Sequence, residues 1–170
     1  MKRDILRKFI LYRIGTENMG YDEAKTMVYF LNKLFPELHF KFSLISGGLR
    51  SRNWKQFLAE MLEQDYIDID NGIYLTEYGY SVLKDVYCDS QYIADSLNKV
   101  FTLFSKKSYE VIIVAGIVDM VMTEKTNKFG VDGISNKKEE VMQIVKNFNP
   151  VVFDENTFNE AILLINELGV

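Results

Sequence analysis

The stretch from Tyr66 to Thr76 constrains the fold of this chain more than any other. Two short runs, Tyr66-Ile67-Asp68-Ile69 and Ile73-Tyr74-Leu75-Thr76, flank Asp70-Asn71-Gly72. Asn-Gly favours the primed turns because both central residues take positive φ. The stretch therefore predicts a tight β-hairpin, the only regular one in the chain, with Asn71-Gly72 at its tip and positive φ at Gly72. Upstream, Trp54, Phe57, Leu58, Met61 and Leu62 recur at i, i+3, i+4, i+7 and i+8. That spacing puts one apolar stripe on a helix, for which Ser51 is the expected cap. Downstream, Thr76 caps a further helix through Tyr78, Val82, Leu83 and Val86.

The remaining elements follow from periodicity and punctuation. A first helix is expected from the N-cap Asp4, with Ile5, Leu6, Phe9, Ile10 and Ile14 on one side and Gly15 at its end. A second starts at the cap Asp22, carries Ala24, Met27, Val28, Leu31 and Leu34, and stops before Pro36. Phe40, Phe42 and Leu44 alternate with His39, Lys41 and Ser43, the period of a short strand, and Ser46-Gly47-Gly48 reads as a turn. Residues 90–104 form a helix with Ile93, Leu97, Val100, Phe101 and Phe104.

Ser108 caps a helix that is apolar on nearly every side, so Val114, Ile117, Val118 and Val121 are expected among the most buried residues. Its apolar run, Val111 to Met122, is interrupted by Asp119 and falls short of the roughly 20 residues that span a bilayer. A polar loop follows from Glu124 to Ser135. Two more helices close the chain: one through Val141, Ile144 and Val145 up to Asn149-Pro150, and one from the cap Asp154 to Gly169.

Helix, strand, helix, hairpin, and a Leu-Thr-Glu-x-Gly start to the next helix is the order of a winged helix. Leu75-Thr76-Glu77-Tyr78-Gly79 resembles the run that leaves the wing in many such proteins. The fold class expected is mainly α with a small β-hairpin (α+β): a winged-helix domain over 1–87 and a helical C-terminal half over 88–170 packed on it as one unit.

The layout is similar to the YwgA-like winged-helix proteins. The likeness rests on Phe40-Lys41-Phe42, on Tyr74 to Gly79, and on Glu139-Glu140-Val141, Phe153-Asp154, Phe158, Glu160-Ala161 and Leu168-Gly169. A fainter resemblance runs to the Panacea-type antitoxin-associated proteins. One departure stands out: the YwgA-like family has a Tyr-Gly-Pro-Tyr-Ser-like turn before the third helix, where this chain has Ile45-Ser46-Gly47-Gly48-Leu49-Arg50-Ser51. The resemblance implies a fold and a regulatory or interaction role, with no reaction attached.

Charge supplies the functional signal. Residues 1–55 carry 11 Lys and Arg against 5 Asp and Glu, while 56–170 carry 9 against 19. Such asymmetry fits a half facing a polyanion, or solvated faces that differ by chance. Lys41, Arg50, Arg52 and Lys55 fall in fifteen residues with no acid, and Ser51, Arg52, Asn53 and Lys55 stand at or near the start of the third helix. In helix-turn-helix proteins that turn meets base edges, and Arg and Asn make bidentate contacts with guanine and adenine. Lys2, Arg3, Arg7, Lys8 and Arg13 of the first helix add positive charge.

The expected DNA-binding residues are thus Arg50, Ser51, Arg52, Asn53, Lys55 and Lys41, with duplex DNA as partner. Against this stand the long gap from Phe35 to Arg50, Asp68 and Asp70 in the wing, and the net charge of −4. The alternative is a protein-interaction module, antitoxin-like or complex-forming, whose partner is another protein or a second copy and whose contact surface is the acidic half.

Catalytic and cofactor signals are weak. The single histidine, His39, sits beside aromatic residues on the expected strand and reads as structural. Cys88 is the single cysteine, so neither an intrachain disulfide nor a CxxC site can form, and it reads as a packing residue. Trp54 is in core phase. Gly47-Gly48 lacks the residues of a phosphate loop, and Glu124 with Asp132 lacks the alternating ligands of a calcium loop. Asp68 and Asp70 share a strand face and read as solvated. The chain is therefore expected to be no enzyme, to use no metal or small-molecule cofactor and to avoid the membrane. A cytoplasmic location is expected, since Arg7, Lys8 and Arg13 break the apolar stretch that a secretory leader would need and a single cysteine fits a reducing compartment.

Overall fold

A computed structural model describes residues 2–89, 91–129, 138–149 and 151–169. Among the described residues the protein is mainly helical, with two small antiparallel β-hairpins. Strands β1 (Ser43–Ile45) and β2 (Gly48–Arg50) form one, and strands β3 (Ile67–Ile69) and β4 (Ile73–Leu75) form the other. The contacts group into two units, residues 1–41 with 51–102 and residues 42–50 with 103–170. The division expected from the sequence is a single boundary at 87/88.

The first unit begins with α1 (Lys2–Thr16) and α2 (Tyr21–Leu34), followed by a 3-10 turn at Pro36–Leu38. Helix α1 starts ahead of Asp4, which lies in its first turn rather than at the cap; a carboxylate there still favours the helix dipole. Gly15 does not end the helix. The terminator is Asn18, in the left-handed region at φ 50°, with Met19 N–H bonded to Ile14 O and Asn18 N–H to Gly15 O. Gly15 is small for another reason: a Cβ there would meet Leu75 Cγ at 2.6 Å. Helix α2 is capped at Gly20, not Asp22, and the Glu23 carboxylate accepts from Gly20 N–H at 3.2 Å.

Helix α3 (Arg52–Glu63) buries Trp54, Phe57, Leu58 and Met61, while Leu62 stays 46% exposed at the edge of the stripe. Past its end comes Asp65 at φ 57°, with Tyr66 N–H bonded to Met61 O and Asp65 N–H to Leu62 O. Strands β3 and β4 then pair in register, Ile67 with Leu75 and Ile69 with Ile73.

The connecting loop is Asp70-Asn71-Gly72, one residue longer than the tight turn expected. Asn71 alone takes the positive φ, 55°, and Gly72 does not. Gly72 instead lets the chain pass close to the end of α1: its Cβ would lie 3.3 Å from Met19 O, and Ile73 N–H donates to that same carbonyl.

The Leu-Thr-Glu-x-Gly run is explained by its contacts. Leu75 seats on Gly15. Thr76 Oγ1 accepts from Gly79 N–H at 2.9 Å, capping α4 (Glu77–Asp89), and its hydroxyl donates to Asp65 O. Glu77 is in the first turn, where the dipole favours an acid. A Cβ on Gly79 would come within 1.8 Å of Tyr66 O, so only glycine lets α4 cross the backbone just past α3. Helix α5 (Gln91–Phe104) follows. Its Asn98 accepts from Arg13 Nη1 at 2.9 Å, and Arg13 also lies over Phe101 at 4.9 Å. Arg13 thus ties α1 to α5 within this unit.

The second unit is built on α6 (Tyr109–Phe129), capped by Ser108 through Val111 N–H. Val114, Ile117 and Val118 are fully buried and Val121 is 4% exposed, as the all-round apolar pattern requires. Around α6 pack α7 (Lys138–Phe148), α8 (Glu155–Leu168) and the β1–β2 hairpin.

That hairpin corrects the expectation that the chain has only one. The strand starts at Ser43, not Phe40, and pairs across Ser46-Gly47, with Gly47 and Gly48 at φ 95° and 104°. Phe40 belongs to the core of the first unit instead, 5.7 Å from Trp54 and 6.0 Å from Phe57. Residues 124–129 are helical where the sequence suggests a loop; a mostly polar run with no Gly or Pro in it extends a helix as readily as a loop. The rest of that expected loop, 130–137 with Asp132, lies outside the described residues, as do Pro150 and the side chains of Cys88 and Ile93. Asp154 caps α8 and Gly169, at φ 71°, ends it. No helix of the described residues is long and apolar enough to cross a membrane.

Candidate functional site

The start of α3 is fixed by Ser51. Its Oγ accepts from Trp54 N–H at 3.2 Å and the residue is only 5% exposed. Ser51, expected both as the cap and among the DNA contacts, thus has its hydroxyl engaged in the cap and little exposed surface. The residues after it do the opposite. Arg52, Asn53 and Lys55 are exposed because Trp54, Phe57 and Leu58 take the buried side of the helix. Among the described residues no carboxylate lies within ion-pair distance of Arg52, Lys55 or Lys41. Arg50 is exposed too, but it closes β2 in the second unit.

Within the first unit, Lys41 and Asn53 meet at a pocket of about 360 Å³. Arg3 and Arg7 reach it from α1, His39 and Lys41 from the segment after the 3-10 turn, and Asn53, Gln56, Phe57 and Glu60 from α3. Three permanent cations line it with one acid. The spacings are helical: Arg3 and Arg7 stand four apart, and Asn53, Gln56 and Glu60 share one face of α3. Arg52 and Lys55 lie on the same turns of α3 but outside the pocket.

Arg7 is the best-fixed of these groups. Its Nε and Nη2 both donate to Leu38 O, at 3.0 and 2.5 Å, and its guanidinium lies 4.3 Å from the centre of the Phe40 ring. Burial depresses its pKa first and the neighbouring Arg3 charge adds to that; Asp4 and Glu60 pull the other way. Arg3 has its own acid, with Nε 3.5 Å from the Asp4 carboxylate, both groups exposed. Glu60 accepts from Gln56 Nε2 at 3.2 Å and makes no ion pair with Arg7.

His39 is not on a strand. It sits in the left-handed region at φ 55°, ends the 3-10 turn and is exposed at the pocket. The alternation around it suggests otherwise, and no local pattern marks a left-handed histidine. Trp54 is core, 1% exposed, and its Nε1 has no hydrogen-bond partner among the described residues. Asp68 and Asp70 are exposed near the hairpin tip, bonded locally to Ile69 N–H and to the Asn71 amide.

Gln56 and Glu60 escape a sequence reading that centres on the first turn of α3. Their helical spacing from Asn53 is the signal that could find them. No family model and no curated protein matches the chain.

Proposed function

We propose that the chain is a winged-helix DNA-binding protein, a transcriptional regulator acting in the cytoplasm, that lays the N-terminal turns of α3 against duplex DNA. The observation that carries this reading is the exposure of Arg52, Asn53 and Lys55 together at the start of α3, with no acid paired to the two cations among the described residues. Lys41 and Arg3, also cationic, are in the same unit and meet Asn53 at one pocket. Cations without internal partners keep their full charge for phosphate, and Asn53 or Arg52 has the donor groups to read a base edge. The order α3, β3, β4 and α4 supports the winged-helix assignment, with β3–β4 as the wing. The experiment is titration of labelled duplex fragments with the wild type and with Arg52→Ala/Lys55→Ala. Binding by the wild type that the double variant weakens supports the reading. No binding at about 50 mM salt, where backbone contacts are strong, overturns it.

A second reading, a protein-interaction module without catalytic activity, draws on the other unit. There Met122, Val141, Phe158, Ile162 and Leu163 border an apolar pocket of about 390 Å³, and Leu163 is 55% exposed. Exposed apolar surface of this kind serves a protein partner better than a nucleic acid. Failure of the DNA titration makes this the better reading.

A further inference from the structure

The pocket between the start of α1 and the start of α3 holds an arrangement that DNA binding by Arg52 and Lys55 does not require. Arg3 and Arg7 are like charges four residues apart on a helix, a spacing that destabilises an isolated helix. Asp4, exposed beside Arg3, offsets that repulsion only in part. Arg7 is in addition partly desolvated, and among the described residues no carboxylate bonds to it. Yet its orientation is fixed from two sides, by the Leu38 carbonyl along one edge and the Phe40 ring on its face. Its Nη1 has no acceptor among the described residues. Lys41, likewise without a hydrogen-bond partner there, borders the same space with Asn53. A pre-oriented guanidinium with a free edge, a flexible ammonium beside it and a neutral amide donor are the groups that bind a tetrahedral oxyanion.

We infer that this pocket binds one phosphoryl group, held by Arg7 and Lys41 with Arg3 and Asn53 beside it. Glu60 limits the charge it can take: a single acid among three cations favours one phosphoryl and disfavours a second. The volume lies near the lower end of the roughly 300–1,000 Å³ of small-ligand pockets, so the group arrives on a small ester or as part of a chain. Two sources supply the same chemistry, a nucleic-acid phosphate or a free phosphate ester. The inference deepens the DNA-binding reading if the first source holds and stands without it if the second does.

The test uses the full chain and inorganic phosphate, with chloride at matched ionic strength as the control. Phosphate should raise the melting temperature where chloride does not, because a ligand bound only to the folded state stabilises it. Lys41→Ala, at an exposed residue without partners, should weaken phosphate by about tenfold, the loss expected for one charge-assisted contact. Glu60→Gln should tighten it by a few-fold, roughly what removing one nearby like charge does at partial exposure. A merely destabilising change would not tighten binding, so this variant separates the site from folding effects.

A phosphate effect that is absent, or that ignores both substitutions, overturns the inference while leaving DNA binding by α3 untouched. Duplex DNA then distinguishes the sources. Competition between DNA and phosphate, weakened by Lys41→Ala, assigns the group to a nucleic acid. Phosphate binding in a protein that ignores DNA supports the pocket, assigns it to a free ester and removes the DNA-binding reading alone.

Discussion

Two neighbouring stretches of the first unit divide the labour differently. The corner made by β3, β4 and the start of α4 commits its residues to the fold: Thr76 bonds to Asp65 and Gly79, Leu75 seats on Gly15, and Gly79 abuts the Tyr66 backbone. The first turns of α3 commit one residue, Ser51, to the cap and leave Arg52, Asn53 and Lys55 exposed. The exposed residues of the first stretch include the acids Asp68 and Asp70, and those of the second include the cations Arg52 and Lys55. On the proposed reading stability and ligand contact are separable here: substitutions at Leu75, Thr76 or Gly79 should disturb folding, and substitutions on the exposed face of α3 should disturb binding.

Gly79→Ala is the sharpest attack on that division. Backbone at 1.8 Å cannot be displaced by a side-chain rotation, so the variant should lose about 3 kcal/mol, the upper end of the usual cost of overpacking. Denaturant unfolding measures it, and an unchanged midpoint would remove the corner from its assigned role. Ser51→Ala comes next. Loss of an N-cap costs about 1 kcal/mol, and because the cap also sets the start of α3, DNA affinity should fall with stability. Affinity that holds while stability falls would separate the cap from the binding surface.

Asp68→Asn/Asp70→Asn should be the mildest for the fold, within about 0.5 kcal/mol, since both residues are exposed and bonded only to their neighbours. On the proposed reading, removing two negative charges from the β3–β4 hairpin should tighten DNA binding if that hairpin lies near phosphate. Affinity that does not change at low salt would place this hairpin away from the DNA.

The two stretches are also unequally legible. Trp54, Phe57, Leu58 and Met61 mark α3, and Ser51, Thr76, Ser108 and Asp154 mark their helix starts, because caps and stripes are local interactions between residues a few positions apart. Long-range contacts leave fainter marks. Gly15 looks like a terminator because its partner Leu75 is sixty positions away, and Asn18 ends α1 with no glycine to signal it.

The β1–β2 hairpin is half visible. Ser46-Gly47-Gly48 reads as a turn, but a strand that starts on Gly48 and finishes on Arg50 has little of the β-branched composition that marks strands. At the candidate site the charge run is visible and the pocket is not. Arg7, His39 and Glu60 come together through the 3-10 turn and the packing of Phe40, neither of which has a sequence period.

On the proposed reading the exposed start of α3 contacts DNA phosphate, and the fold stands independently of that contact. The most direct measurement is the salt dependence of duplex binding for the wild type and for Arg52→Ala/Lys55→Ala, with unfolding midpoints recorded in parallel. Each phosphate contact on duplex DNA contributes about 0.9 to the slope of log affinity against log salt, so the double variant should be flatter by up to about two. Its affinity should be weaker by about 1–3 kcal/mol if Arg52 reads a base, with the midpoint unchanged. A wild type and a double variant with the same slope and the same affinity would show that Arg52 and Lys55 do not touch the DNA.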